Sequence, residues 1–280
     1  MYQISEKSEK RLMSVLIGSV VMNLLFFVLL AWGVLPIELN TLRFAGGFFL
    51  LIFVWLHGLY HYGWNNMLIF FSITLAITWT FEALSVETGF PFGDFYYTDL
   101  LGDKIGAVPI LIIPAYFLAG YLAWTLGNLF FGNMTAGIDR QNLIRVPLLS
   151  ALIMVMWNLS FDPIMSTIEG NWIWKNGGIY FGVPLSNFLG WFITVFLVFQ
   201  LFSFSLYQSG DLIEPSFKPS HWYLFPAMYI VQGIPSALYP FFRDDHADIY
   251  QAIALITVMT MFLTAVACIF VIKASLKEHG

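Results

Sequence analysis

Long apolar runs recur along almost the whole of this 280-residue chain, and they constrain its fold more than any other feature. A bilayer core needs about 20 apolar residues per helix. Runs of that kind predict eight transmembrane helices, at about 12–34, 42–62, 67–86, 108–131, 145–168, 184–207, 222–242 and 249–272. Pro226, Pro235 and Pro240 interrupt the seventh run, so we expect that helix to be kinked or broken. The sequence therefore predicts an all-α, multi-pass integral-membrane bundle of the cell membrane.

The amino-acid composition agrees with a chain embedded in the lipid bilayer. Only 10% of the residues are charged, against roughly 25% in an ordinary soluble domain. No linker divides the chain, so residues 1–280 are expected to form one domain. The first apolar run is too long for a signal peptide and lacks a cleavage site, so it is expected to remain. The net charge of −5 suggests no nucleic-acid partner, and the single cysteine, Cys268, excludes an internal disulfide and a thiolate metal cage.

The distribution of lysine and arginine predicts the orientation of the bundle. With the N-terminus inside, the inner segments hold Lys7, Lys10, Arg11, Arg140, Arg145, Lys218, Lys273 and Lys277, and the outer loops hold Arg43, Lys104, Lys175 and Arg243. We therefore expect both termini in the cytoplasm. The two longest connections, about 87–107 and 169–183, then share the opposite face.

Acids and aromatic residues are concentrated near these two connections. The segments are FEALSVETGFPFGDFYYTD, from Phe81 to Asp99, and FDPIMSTIEGNWIWKNGGIYFGVPLSNFLGW, from Phe161 to Trp191. Glu82 precedes the end of the third span and Asp162 the end of the fifth, and both spans run in the same direction. Their carboxyls should therefore lie at similar depth. A single acid there is most simply a hydrogen-bonding residue between helices, but two converging acids indicate a functional site.

Acids beside aromatic residues suit proton-initiated alkene chemistry. A protonated carboxyl can deliver a proton to a double bond and leave a tertiary carbocation, which aromatic faces stabilise. A second carboxylate or an amide can then position water as a general base. Two alternatives remain open: an isomerase or cyclase in which the same cation loses a proton, and a membrane protein that binds such an alkene without catalysis.

The histidines offer a weaker signal. His57 and His61 are four residues apart and lie on one helical face, as a metal pair does, but the predicted topology puts them far from the acids. We expect them to be interfacial residues, and His221 and His246 to be loop residues without partners. Neither a metal site nor a cofactor is predicted.

The two segments also resemble the signature segments of the CruF-type carotenoid biosynthesis family, which are integral-membrane carotenoid hydratases. The patterns are ETGFPFGDFYY in the first segment and DPIMSTIEGNWIWKNGGIYFGVPLSNFLGW in the second, and the resemblance covers roughly residues 78–195. It implies addition of water across the terminal C1=C2 bond of an acyclic carotenoid ψ-end, without a redox cofactor. One departure is Asn158, which follows Trp157 where the family pattern carries aspartate.

The resemblance and the two segments together give the candidate residues. The acids carried over by motif position are Glu82 and Asp162 and, less directly, Glu87, Asp94 and Glu169. The residues expected to wall the pocket are Tyr96, Tyr97, Trp172, Trp174, Tyr180, Asn187 and Trp191, whereas Asp99 is expected to be solvated. The expected partners are a lipid-dissolved acyclic carotenoid, water, the bilayer and other enzymes of the carotenoid pathway.

Overall fold

The computed structural model describes residues 6–33, 39–210, 217 and 219–278. Its helices are α1 (Glu6–Trp32), α2 (Leu39–His61), α3 (Gly63–Thr88), α4 (Ile112–Phe130), α5 (Asn142–Pro163), α6 (Leu185–Ser209), α7 (Leu224–Leu238), α8 (Ala247–Thr257) and α9 (Leu263–Glu278). The short strands are β1 (Phe95–Tyr97), β2 (Lys104–Ile105), β3 (Val108–Pro109) and β4 (Trp172–Trp174). Two predictions touch residues outside the described ranges: Lys218, which the charge count used, and Val34, the last residue of the first predicted span.

Within the described ranges, seven helical segments are long and apolar enough to cross a membrane. They are α1 to α6 and the rod formed by α8 and α9, which the π-helical turn Val258–Phe262 joins. A second π-helical turn, Ile164–Ile168, extends α5. The predicted helical membrane bundle is therefore confirmed, with seven of the eight predicted spans formed as long helices.

The seventh predicted span forms a composite crossing. The helix α7 has 15 residues, which at 1.5 Å per residue is about 22 Å, shorter than a hydrocarbon core of about 30 Å. A 3₁₀ turn, Pro219–Tyr223, precedes α7, and there His221 stacks on His57 of α2. A second 3₁₀ turn follows α7, and its Tyr239 lies beside Arg43 at the start of α2. The composite segment therefore runs the length of α2, from one end of the bundle to the other.

The two described ends of the chain lie at the same end of the bundle. Helix α1 finishes at the opposite end, where Arg243 donates to the carbonyl of Leu30 at 3.0 Å. Helix α9 returns, and its Ser275 lies against Gly132 in the connection between α4 and α5. Which side of the membrane this end faces stays a prediction.

Four helices, α3 to α6, carry or adjoin the two segments rich in acids and aromatic residues, 81–99 and 161–191. Helix α4 packs against α3 and α5, and α6 packs against α3 and α5, so the four form a closed ring. Every residue of α4 from Tyr116 to Leu129 is buried, as expected for a helix that is apolar on all sides. Helix α4 is therefore the interior helix of the bundle.

The two long connections meet over one end of this ring. Strands β1 and β4 pair antiparallel, with Phe95 opposite Trp174 and Tyr97 opposite Trp172. We call this pair of strands the lid sheet. The hydroxyl of Thr98 adds bonds to the carbonyls of Gly170 and Asn171, at 2.9 and 3.0 Å. The prediction that the connections 87–107 and 169–183 share a face is therefore confirmed.

Two glycines make the turn beneath the lid sheet possible. Gly89 ends α3 with φ of 79°, and its amide donates to the carbonyl of Ser85. A positive φ of this kind carries little steric cost only for glycine. Gly190 of α6 faces the turn, where an added Cβ would lie 2.9 Å from the Pro91 carbonyl oxygen. Glycine at both positions lets the chain fold back tightly against α6.

Candidate active site

A small pocket lies between the ring of four helices and the lid sheet. Its free volume, measured for the centres of water molecules, is about 40 Å³, which is room for about three water-sized groups. The aromatic lining residues are Phe92, Phe95, Tyr97, Tyr116, Trp157, Phe161, Trp172, Trp174 and Trp191, and the others are Glu82, Ile112, Ala115, Asp162 and Asn187. Two acids therefore share a pocket whose walls are mainly aromatic.

Glu82 reaches this pocket from α3, and both of its oxygens are occupied. The Tyr116 hydroxyl donates to Oε1 at 2.7 Å, and the Tyr97 hydroxyl donates to Oε2 at 2.8 Å. Only 3% of Glu82 is exposed. Burial and the adjacent Glu82 raise the pKa of Tyr97 well above its usual value, so this phenol keeps its proton and can donate.

Asp162 reaches the pocket from the last turn of α5, and its partners are nitrogen donors. The indole of Trp172 donates to Oδ1 at 3.0 Å. Asn158 Nδ2 lies 3.4 Å from Oδ2, and Asn187 Nδ2 makes a closer bond to the same oxygen. The residue is 1% exposed. Three donors therefore surround a buried carboxyl that would otherwise lack polar partners.

The lid sheet connects the two acids. Tyr97 and Trp172 are directly opposite in the β1–β4 pair, and each gives its side-chain donor to one acid: Tyr97 to Glu82, and Trp172 to Asp162. Residues that face each other across an antiparallel pair project to the same side of the sheet. The pairing of two loops thus positions a donor for each carboxyl.

Of the eleven candidate residues other than Glu87, seven line the pocket and four lie outside it. The seven are Glu82, Tyr97, Asp162, Trp172, Trp174, Asn187 and Trp191. The four outside are Asp94, Tyr96, Glu169 and Tyr180. For each of these four, the local structure explains why the side chain lies outside the pocket.

Two of the four are acids that pair with cations. Asp94 accepts a bond from Lys175 at 2.7 Å on the surface, where both side chains are more than 40% exposed. Glu169 forms a two-pronged pair with Arg43, at 2.7 and 2.9 Å, and both side chains are largely buried. The geometry gives Asp94 and Glu169 the role of tying loops in place.

The other two are tyrosines that point elsewhere. Tyr96 alternates with its neighbours along β1, so its side chain faces away from the pocket and is 47% exposed. The Tyr180 hydroxyl donates to the Leu159 carbonyl at 2.9 Å, and its ring packs on Phe181 and Phe188. The expectation that Tyr96 and Tyr180 wall the pocket is therefore not supported.

Two further predictions concern acids of the first connection. Glu87 is exposed near the end of α3 and does not line the pocket. Asp99 is fully exposed and pairs with Lys104 at 2.9 Å, as expected for a solvated residue. The hydrogen bond and charge of Lys104 lower the pKa of the Asp99 carboxyl below its usual value.

Sequence reasoning missed Tyr116, the second partner of Glu82. It lies in the first turns of α4, stacked on Trp191 at 4.2 Å between ring centroids. Trp191 in turn lies 6.0 Å from Trp157, which stacks on Phe161 at 4.5 Å. A tyrosine near the lid end of an otherwise apolar helix was the signal that could have identified it.

The expectations for His57, His61 and His221 are wrong, whereas His246 lies exposed in the turn before α8, as expected. His57, His61 and His221 are all at most 4% exposed, and the His57 ring stacks on His61 at 5.2 Å and on His221 at 4.9 Å. The Tyr121 hydroxyl lies 2.6 Å from His57 Nδ1. In the described ranges, no group of three His, Cys, Asp or Glu side chains is arranged to hold a metal ion.

The fold and the pocket define a class: a polytopic helical membrane protein with two buried carboxyls in an aromatic pocket at one end of the bundle. A family model described as "Carotenoid biosynthesis protein" matches residues 44–234, more than half of the chain, and the chain belongs to this family. The matched range contains both carboxyls and the lid sheet. The resemblance found in the sequence is thereby confirmed.

One curated relative is similar to this chain. It is the bisanhydrobacterioruberin hydratase of Haloarcula japonica, 34% identical over 131 residues. The match covers 46% of this chain and 42% of the relative, so the chain matches less than half of the relative's length. No solved structure matches the chain. Membership of the family supports a role in modifying carotenoids.

Proposed function

We propose that this protein is a carotenoid hydratase of the cell membrane, which adds water across the terminal C1=C2 bond of an acyclic carotenoid to give a tertiary alcohol. The observation that carries the proposal is the meeting of Glu82 and Asp162 in one aromatic pocket. The family supplies the substrate class. The similar relative is named a hydratase.

Glu82 suits the role of proton donor because its partners are compatible with both protonation states. A phenol can donate a hydrogen bond to a carboxylate and can accept one from a carboxyl. Tyr97 and Tyr116 can therefore remain in place while Glu82 gives up its proton to C2 of the substrate and recovers it later. Transfer of the proton leaves a tertiary cation at C1.

Asp162 suits the role of carboxylate base because each of its three partners presents an N–H group to it. Such a group can donate a hydrogen bond but cannot accept one. Hydrogen bonds from donors to an ionised carboxylate favour the ionised form. A carboxylate has about four acceptor positions, so three donors leave one for a water molecule. Asp162 takes a proton from that water as its oxygen bonds to C1, and the two pocket acids then exchange the proton to begin another cycle.

The aromatic walls suit the cation that forms between these two steps. A cation over a tryptophan or tyrosine face gains about 2 kcal/mol or more when water is excluded. Trp157, Trp191 and Tyr116 are in ring contact along one side of the pocket. The same walls limit the number of waters beside the cation. The water that Asp162 positions is therefore favoured over other waters in the reaction with the cation.

The test uses membranes that contain the protein, an acyclic carotenoid such as lycopene, and water labelled with ¹⁸O. We expect a hydroxylated product that carries the label. Glu82→Gln and Asp162→Asn should each lower its rate by about 10²- to 10⁴-fold, the usual contribution of a general acid or base. Asp99→Asn is the matched control, because Asp99 is an exposed acid outside the pocket.

The products separate the hydratase from its alternatives. A product of unchanged mass would mean that the cation loses a proton, as in a cyclase or isomerase. Unchanged carotenoid over several acyclic substrates would contradict the proposal. Labelled product at wild-type rates from both pocket variants would show that other groups perform the chemistry.

A further inference from the structure

The pocket is too small for more than the tip of a carotenoid. Its free volume of about 40 Å³ corresponds to about three water-sized groups, similar to the branched end of the hydrocarbon chain. The rest of the polyene has to extend out of the pocket through an opening. The position of that opening decides how the substrate enters.

The exposure of the lining residues locates the opening. Of the fourteen, only Ala115 is exposed, whereas Glu82 and Asp162 are buried and Trp157 and Phe161 are half-buried. Ala115 belongs to the first turn of α4, a helix that is completely buried from the next residue up to Leu129. The pocket therefore reaches the surface at Ala115.

The opening lies at the level of Asp162. Helices α4 and α5 are antiparallel, and a Cβ on Gly127 would collide with Ser150. Twelve residues back from Gly127 is Ala115, and twelve residues on from Ser150 is Asp162. Because both helices rise equally per residue, Ala115 lies level with Asp162. Phe161, the neighbour of Asp162, is half-buried and lines the same pocket from the end of α5.

The residues that lead into the first turn of α4 are apolar and exposed. Leu111 is 40% exposed and Ile110 is 44% exposed, and Phe161 lines the pocket from α5. Ala115 itself lies within a segment long and apolar enough to span the membrane. Exposed apolar groups at such a position face lipid rather than water.

We propose that this opening between the first turn of α4 and the end of α5, at Ala115, is a side entrance through which the end of a carotenoid passes from the bilayer to Glu82 and Asp162. The polyene then lies across Ala115 with its length in the lipid. Alanine is suited to the position because a larger side chain would fill the entrance. The inference rests on the proposed carotenoid substrate and adds the route that the substrate takes.

Cysteine protection tests the entrance without relying on turnover. The native Cys268 is buried, and Cys268→Ala gives a background without thiols. In that background, Ala115→Cys is alkylated with an apolar maleimide in the presence and absence of lycopene. At lycopene concentrations ten times its dissociation constant, we expect about tenfold slower alkylation. Ala76→Cys is the control, because Ala76 is exposed on α3 and does not line the pocket.

Blocking the entrance gives a second, independent measurement. Ala115→Trp should abolish formation of labelled alcohol, whereas Ala76→Trp should keep the wild-type rate. Equal alkylation of Ala115→Cys with and without lycopene would overturn the proposal, as would full activity of Ala115→Trp. Protection at Ala115→Cys without any hydrated product from the wild type would retain the entrance and contradict the hydratase function.

Discussion

The two phenols on Glu82 make a quantitative prediction about proton transfer. Tyr97→Phe and Tyr116→Phe each remove one hydroxyl and leave one carboxyl oxygen of Glu82 without its partner. Negative charge develops on Glu82 only as it gives up its proton, so the loss falls mainly on the transition state. A hydrogen bond to a charged group contributes about 1.5–3 kcal/mol. The same bond between neutral groups already contributes about 0.5–1.5 kcal/mol before transfer, so the barrier rises by the difference, about 1–1.5 kcal/mol. At about 1.36 kcal/mol per tenfold, each variant should hydrate about 5- to 15-fold more slowly.

The variants should also lose stability, because both bonds are present in the folded protein before the reaction. Before proton transfer the bonds join neutral groups, which contribute about 0.5–1.5 kcal/mol each. Tyr229→Phe is the matched control, because its buried hydroxyl donates to the Ile153 carbonyl at 2.8 Å and it does not line the pocket. It should show a similar loss of thermal stability and an unchanged hydration rate.

The assay measures initial rates of the labelled alcohol by mass spectrometry and melting temperatures in detergent. The double variant Tyr97→Phe/Tyr116→Phe should lose less than the product of the two single effects, because both hydroxyls act on one carboxyl. If neither single variant slows hydration more than Tyr229→Phe does, Glu82 is not the group whose charge changes, and the assignment of the proton donor fails.

Two further predictions concern other contacts. Asn158→Asp places a second carboxyl beside Asp162; two buried carboxyls do not both ionise, so we expect a slower rate at neutral pH that recovers as the pH rises, seen in a pH–rate profile. Glu169→Met or Arg43→Met alone should destabilise the protein by about 3–5 kcal/mol, and the double variant should recover most of the melting temperature.

The helical bundle could be predicted because run length and apolar composition are local properties of the chain. Their limit is the seventh span, where α7 contains Pro226 and Pro235 and ends two residues before Pro240. The crossing is completed by 3₁₀ turns whose ends contact α2, and such contacts are tertiary. For the same reason, His221 was expected in a loop, although it packs between His57 and Phe217.

The convergence of Glu82 and Asp162 could also be predicted, since odd-numbered spans run in one direction and both residues lie near the same ends. The side of the lid sheet to which each side chain points could not be predicted from the sequence. Strands of three residues are too short to show an alternating pattern, and β1 pairs with a strand more than seventy residues away. Whether Tyr96 or Tyr97 enters the pocket depends on that register.

Which of the predicted acids enter the pocket also depends on tertiary contacts. Four of the predicted acids have similar surroundings in the sequence: each lies close to aromatic residues and glycines near the end of a span. They are Glu82, Asp94, Asp162 and Glu169. The structure divides them by their partners. Asp94 and Glu169 meet cations, which neutralise them and fix their positions. Within the described part of the chain, no ion pair involves Glu82 or Asp162, whose partners are phenols, an indole and amides. Neutral partners leave a carboxyl free to change its charge during a reaction, whereas an ion pair opposes that change.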